Sequence, residues 1–112
     1  MKLVRYKNAV IRLDIVESFE VISLLKLSEE LEIYLRIPTH RDTRDVLIGK
    51  YEAKKSSRIR SKMSKIEEFY LENLVKFLEG ESTKFNTEDV AKQVEKIIKG
   101  RQWKKIKQIY GQ

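Results

Sequence analysis

The hydrophobic period of this chain changes part-way along, and that change limits the folds open to it. Leu31, Ile33, Leu35 and Ile37 recur at every second position, with Glu32, Tyr34 and Arg36 between them. A period of two describes a strand that buries one face. Ile59, Met63, Ile66, Tyr70, Leu74 and Phe77 instead recur at spacings of four, three, four, four and three. That is the stripe of an amphipathic helix. The two patterns predict an α+β chain with its strands first.

The strand segment ends at Pro38. Upstream, Ile11, Leu13 and Ile15 alternate with Val10, Arg12 and Asp14, and residues 3–7 can pair with them across Lys7-Asn8. Residues 15–27 read two ways. As a helix, Asp14 caps and Ile15, Phe19, Ile22 and Leu25 line one side. As a strand, Phe19, Val21, Ser23, Leu25 and Leu27 share a face, and Ser28-Glu29-Glu30 turns the chain into 31–37. The hairpin is the favoured reading. Residues 3–37 are thus expected to form a short antiparallel sheet.

The C-terminal two-thirds reads as mainly helical. Asp42 or Thr43 caps an expected helix over 43–55, which buries Val46, Leu47, Ile48 and Tyr51. Gly49 weakens it by about 1 kcal/mol relative to alanine. This helix either breaks at Ser56-Ser57 or runs on as one long helix over 43–79 with a solvated middle, and the continuous form is preferred. Gly80 stops it. Asn86 or Thr87 caps a further helix, whose stripe is Val90, Val94, Ile97 and Ile98. Glu88 and Asp89 stand in its first turn, where carboxylates suit the helix dipole. Trp103, Ile106 and Tyr110 continue at helical spacing.

At 112 residues the chain is expected to be a single small basic domain, 1–112. The absence of cysteine excludes disulfides, zinc–thiolate sites and a thiolate nucleophile. His40 is alone, so a multi-histidine metal site is excluded. No apolar run reaches the roughly 18–20 residues of a membrane span, and no signal-peptide core opens the chain. A cytoplasmic protein is expected. Abundant Lys, Glu and Ile point to a thermophilic source or an AT-rich genome.

Charge is segregated. Residues 1–37 hold six basic and six acidic groups, and residues 38–66 hold nine and three. Residues 67–95 reverse this with three and eight, and the last 17 residues carry six basic groups and no acid. Blocks of this kind suit a polyanionic partner. Two candidate phosphate-contacting surfaces emerge. Lys54, Arg58, Lys62 and Lys65 would lie within about 80° of arc on one helix, opposite the apolar stripe. Ser57, Ser61 and Ser64 stand near them, and hydroxyls, ammonium and guanidinium groups all donate to phosphate oxygens. The second surface is the basic tail, with Lys99, Arg101, Lys104, Lys105 and Lys107 around Trp103. Trp103 has the spacing of a core anchor rather than a base-stacking platform.

The function expected is therefore a non-enzymatic nucleic-acid-binding or accessory protein, for DNA or RNA, with little sequence preference. Its rival is a protein-interaction subunit, a homodimer or a docking module, whose charge blocks meet acidic surfaces. In that reading Phe69, Tyr70, Phe77 and Phe85 serve as anchors. No catalytic set, phosphate loop, cofactor motif or small-molecule substrate site is evident. Glu68 and Glu72, four apart on one helix face, read as a solvated surface rather than a metal site.

Overall fold

A computed structural model of the chain describes residues 1–26, 29–52 and 59–99. Strands β1 (Leu3–Tyr6) and β2 (Ala9–Arg12) form a hairpin, closed by a turn in which Lys7 takes a left-handed φ of 53°. A single 3₁₀ turn, Leu13–Ile15, follows. Then come β3 (Glu20–Leu25), β4 (Glu30–Pro38) and β5 (Thr43–Glu52), and helices α1 (Ile59–Glu79) and α2 (Thr87–Ile98). The second sheet has the order β3-β4-β5 and is antiparallel throughout.

This corrects the expected architecture of one N-terminal sheet over 3–37 and helices beyond. Among the described residues there are two sheets with five strands, and residues 43–52 are a strand rather than the start of a long helix over 43–79. The cause is a β-bulge. Ile33 pairs with Gly49 and Tyr34 with Leu47, so Ile48 is an extra residue in β5. The bulge shifts the phase of the alternation. Val46 and Tyr51 therefore point to the same face although they are five residues apart, and no period-two pattern can be read across them. Asp42, expected as a helix cap, instead closes the β4–β5 loop with Thr39. The Thr39 N–H and hydroxyl donate to the Asp42 carbonyl at 2.6 and 2.8 Å, and the Thr43 N–H donates to Asp42 Oδ1 at 2.7 Å.

Residues 20–25 settle as a strand, with Val21, Ser23 and Leu25 opposite Leu35, Ile33 and Leu31. Together with Val46, Gly49 and Tyr51 these make the inner face of the three-stranded sheet. Helix α1 packs across this face against β3, and α2 packs against α1, β5 and β1. One hydrophobic core joins all these layers, with Leu31, Ile33, Leu35, Ile66, Leu74, Phe77, Val90 and Val94 fully enclosed. The α1 stripe is buried except for a half-exposed Met63.

Gly49 occupies the closest approach of sheet to helix. A Cβ there would stand less than 3.0 Å from the Tyr70 hydroxyl and 3.1 Å from the ring and hydroxyl of Tyr51. The two tyrosine hydroxyls hydrogen-bond to each other in the core, which satisfies both. Burial holds both phenols above their ordinary pKa. At the other end of the molecule, β1 is clasped by the α1–α2 loop. The Leu3 N–H donates to the Thr83 carbonyl at 2.8 Å, the Phe85 N–H donates to the Leu3 carbonyl at 2.9 Å, and the Lys2 ammonium reaches the Ser82 carbonyl at 2.6 Å. Phe85 is buried there, its ring edge-on to Phe77 at 5.5 Å between centroids.

Candidate phosphate-binding corner

Of the expected contact residues, Lys54, Arg58, Arg101, Lys104, Lys105 and Lys107 lie outside the described residues, as does Trp103. Lys62, Lys65 and Lys99 are described. Lys62 and Lys65 are three apart in the first turns of α1, and so on neighbouring positions of its surface. Lys65 and Lys99 are exposed, and Lys62 is half-buried.

Lys62 has a specific partner. Its ammonium donates to the carbonyl of Ile98, the last residue of α2, at 3.1 Å. The final carbonyls of a helix lack intrahelical donors and carry the negative end of its dipole. A lysine from a neighbouring helix satisfies both needs. The Lys99 N–H donates to the Glu95 carbonyl at 2.9 Å and closes the last turn. Helical spacing alone placed Lys62 on the outside of α1 but carried no information about its link to α2.

The contact joins two points of the chain that are 36 residues apart. Ile59 is three residues before Lys62, about 4.5 Å along the helix axis. Lys99 directly follows Ile98. The start of α1 and the end of α2 therefore lie at one corner of the fold.

The charge divides along the same line. The chain has 24 Lys and Arg and 17 Asp and Glu. Segment 53–58 carries Lys54, Lys55 and Arg58, and segment 100–112 carries Arg101, Lys104, Lys105 and Lys107, seven basic groups with no acid. Removing seven from 24 leaves 17 basic against 17 acidic groups on the remaining residues. The described body is neutral, and the net charge of +7 is carried by residues 53–58 and 100–112, outside it.

Within the body, several charges pair on the surface. Arg36 grips Asp45 through two hydrogen bonds of 2.9 and 3.0 Å, Lys50 meets Glu30 at 3.1 Å, and Arg12 meets Asp14 at 3.1 Å. The guanidinium of Arg12, with the Lys2 N–H at 3.0 Å, lowers the Asp14 carboxyl to about 2. Of the acidic block, Glu67 is half-buried and accepts from the Ser23 hydroxyl, whereas Glu68, Glu72, Glu79, Glu81, Glu88, Asp89 and Glu95 are exposed. Among the described residues no three His, Cys, Asp or Glu side chains converge as metal ligands. His40 is exposed in the β4–β5 loop. No described helix is long and apolar enough to cross a membrane.

Phe69, Tyr70, Phe77 and Phe85 are all buried, so none is available as a surface anchor for a partner. Glu32 is the reverse case. It lies on the face of β4 opposite Leu31 and Ile33, yet it is only 8% exposed. The Tyr34 hydroxyl donates to it at 2.8 Å and the Lys26 ammonium lies 3.4 Å away. The bond to Glu32 raises the Tyr34 phenol above its ordinary pKa.

No family model matches this chain, and neither the curated proteins nor the solved structures contain a match to it.

Proposed function

We propose that this chain is a non-enzymatic nucleic-acid-binding protein that contacts phosphates at the corner where Lys62 meets Ile98. The observation that carries the reading is the division of charge: the described body is neutral, and the seven remaining basic groups lie in sequence next to the helix ends that Lys62 ties together. A general surface excess of lysine would spread its charge over the body. Charge concentrated in this way raises the local potential and favours a polyanion with closely spaced charges. Lys65 and Lys99, exposed beside the corner, extend the same surface. Lys62 serves to tie the helix ends together. Phosphate contacts position a nucleic acid without reading its bases, so sequence preference is expected to be slight. The cytoplasm is the compartment that fits this reading.

The test is a titration of labelled single- and double-stranded DNA and RNA at several salt concentrations. Each neutralised phosphate on duplex DNA contributes about −0.9 to the log–log salt slope, so seven contacts give a slope of roughly −6. Lys54/Lys55/Arg58→Ala should flatten that slope by about 2.7, and Arg101/Lys104/Lys105/Lys107→Ala by about 3.6. Absence of binding to every nucleic acid at low salt would overturn the proposal and leave docking to an acidic protein as the use of this charge.

A further inference from the structure

Strand β3 is an edge of its sheet, and among the described residues nothing pairs with its outer side. Open edges in native proteins are normally blunted by charge, proline or a bulge. Residues 21–25 of β3, Val-Ile-Ser-Leu-Leu, contain none of these. Their burial is also incomplete. Val21 and Leu25 face the core side, yet both remain partly exposed, while their partners Leu35 and Leu31 on β4 are fully enclosed. Leu24, on the opposite face, is 47% exposed.

We propose that this edge binds a second copy of the chain, β3 against β3, in a two-fold antiparallel pairing centred on Ser23. The inference rests on surfaces separate from the basic corner and stands whether or not that corner binds nucleic acid. The backbone supplies the first argument. The Lys26 N–H donates to the Glu30 carbonyl of β4 at 2.8 Å. Backbone groups alternate sides along a strand, so those of Leu24 and Ile22 also turn toward β4 and those of Val21, Ser23 and Leu25 toward the open edge. A register centred on Ser23 sets these same three residues against their counterparts: Val21 opposite Leu25, Ser23 opposite Ser23, Leu25 opposite Val21.

The side chains fit that register too. Ile22 comes opposite Leu24, so the apolar outer-face residues meet. Glu20 comes opposite Lys26, an opposite-charge pair formed twice by symmetry. A closed two-fold contact requires a self-complementary patch, and this segment is one. Helix α1 adds a third argument. Its Glu67 accepts from the Ser23 hydroxyl, so this side of α1 borders β3. Leu71 and Val75 continue the row from Glu67 at spacings of four, and they are 41% and 38% exposed. They flank the open edge on the helix layer, where the helix of a second copy would cover them. The result would be a continuous six-stranded sheet with helices on one side.

Sedimentation velocity of the full chain, from micromolar to submillimolar protein at fixed salt, should show reversible dimerisation. A monomer at every concentration overturns the proposal. Ser23→Pro removes the amide at the two-fold axis without touching the β3–β4 ladder. It should raise the dimer dissociation constant by about tenfold or more, reflecting the loss of both central bonds. Leu24→Lys, which sets a lysine at the interface while keeping the strand backbone, should act in the same direction. Circular dichroism establishes that each variant is folded. A folded variant pair that dimerises as well as the parent places the contact elsewhere and refutes the β3 edge. The chain has no native cysteine, so Ser23→Cys gives a clean probe of register. Only a residue that faces itself across the axis can link the two copies directly, and a disulfide requires Cα atoms within roughly 7 Å. Efficient oxidative cross-linking is expected, and a dimer that does not cross-link overturns the Ser23-centred register.

Discussion

Replacing Gly49 with alanine should destabilise the protein, against the usual direction for such a change. Gly49 sits in a strand without a left-handed φ, so alanine can adopt its backbone conformation. At a site of that kind, Gly→Ala commonly gains about 0.4–1 kcal/mol by reducing the freedom of the unfolded chain. Here the new Cβ would stand within 3.0 Å of the Tyr70 hydroxyl, at the end of a rigid ring that is 1% exposed. Overpacking a closed core costs about 1–3 kcal/mol. Displacing the Tyr70 ring also weakens its bond to Tyr51, worth about 1 kcal/mol. The steric loss wins, and the net expectation is a loss of about 1–3 kcal/mol. Urea unfolding at one fixed protein concentration reads this as a lower midpoint with an unchanged m-value. Tyr70→Phe supplies the decisive comparison. Alone, it leaves the buried Tyr51 hydroxyl without its partner and should cost about 1–2 kcal/mol. Combined with Gly49→Ala, it removes the atom that the new methyl strikes. The double variant should then be more stable than the sum of the single changes by about 1 kcal/mol or more. Gly49→Ala that is neutral or stabilising, or a strictly additive double variant, would refute the packing account.

Three other outcomes follow from the same structure. Asn86 Oδ1 accepts from the Asp89 N–H at 3.0 Å and caps α2, so Asn86→Ala should cost about 1 kcal/mol in urea unfolding, and Asn86→Ser, which keeps an accepting oxygen without facing a second carboxylate to Asp89, less. Phe85→Ala should cost about 3–5 kcal/mol, because it empties the site beside Phe77 beneath the loop that clasps β1. The Asp14 carboxyl titrates at about 2 rather than 3.8, so its contribution is fully present above pH 3.8 and is lost as pH falls toward 2. An acid titration of stability should therefore be shallower across that window in Asp14→Asn than in the parent.

Where sequence and structure agree, a single short-range constraint acts alone. Leu31, Ile33 and Leu35 face the core because alternation on an unbroken strand leaves no other choice. The α1 stripe from Ile59 to Phe77 and the Asn86 cap are similarly local. Residues 43–52 were illegible because the bulge at Ile48 puts Val46, Ile48 and Tyr51 at spacings of two and three, which imitates a helix. A bulge is selected by the partner strand and the overlying helix, and neither is visible within a ten-residue window. Alternation puts Glu32 on the outer face but is silent on its enclosure, because the contacts of Tyr34 and Lys26 that enclose it depend on strand register and side-chain direction. The candidate site divides in the same way. The clustering of its charge is plain in the linear sequence. That the start of α1 meets the end of α2 depends on the Lys62 contact with Ile98, a tertiary fact.

The clasp on β1 bears on how this chain reaches its fold. Leu3 exchanges hydrogen bonds with Thr83 and Phe85, roughly eighty residues downstream. The first hairpin can form its own turn early, but its clasp cannot close until the loop after α1 exists and the chain between has been drawn together. Contacts of such long range are entropically late, and chains that rely on them fold slowly. During synthesis the three-stranded sheet and α1 are complete before the residues that secure β1 have been added. Until then Val4 and Ile11, buried in the finished core, lack the cover that α2 and the clasp supply, and the time to close this clasp sets how long the nascent chain leaves the hairpin incompletely packed.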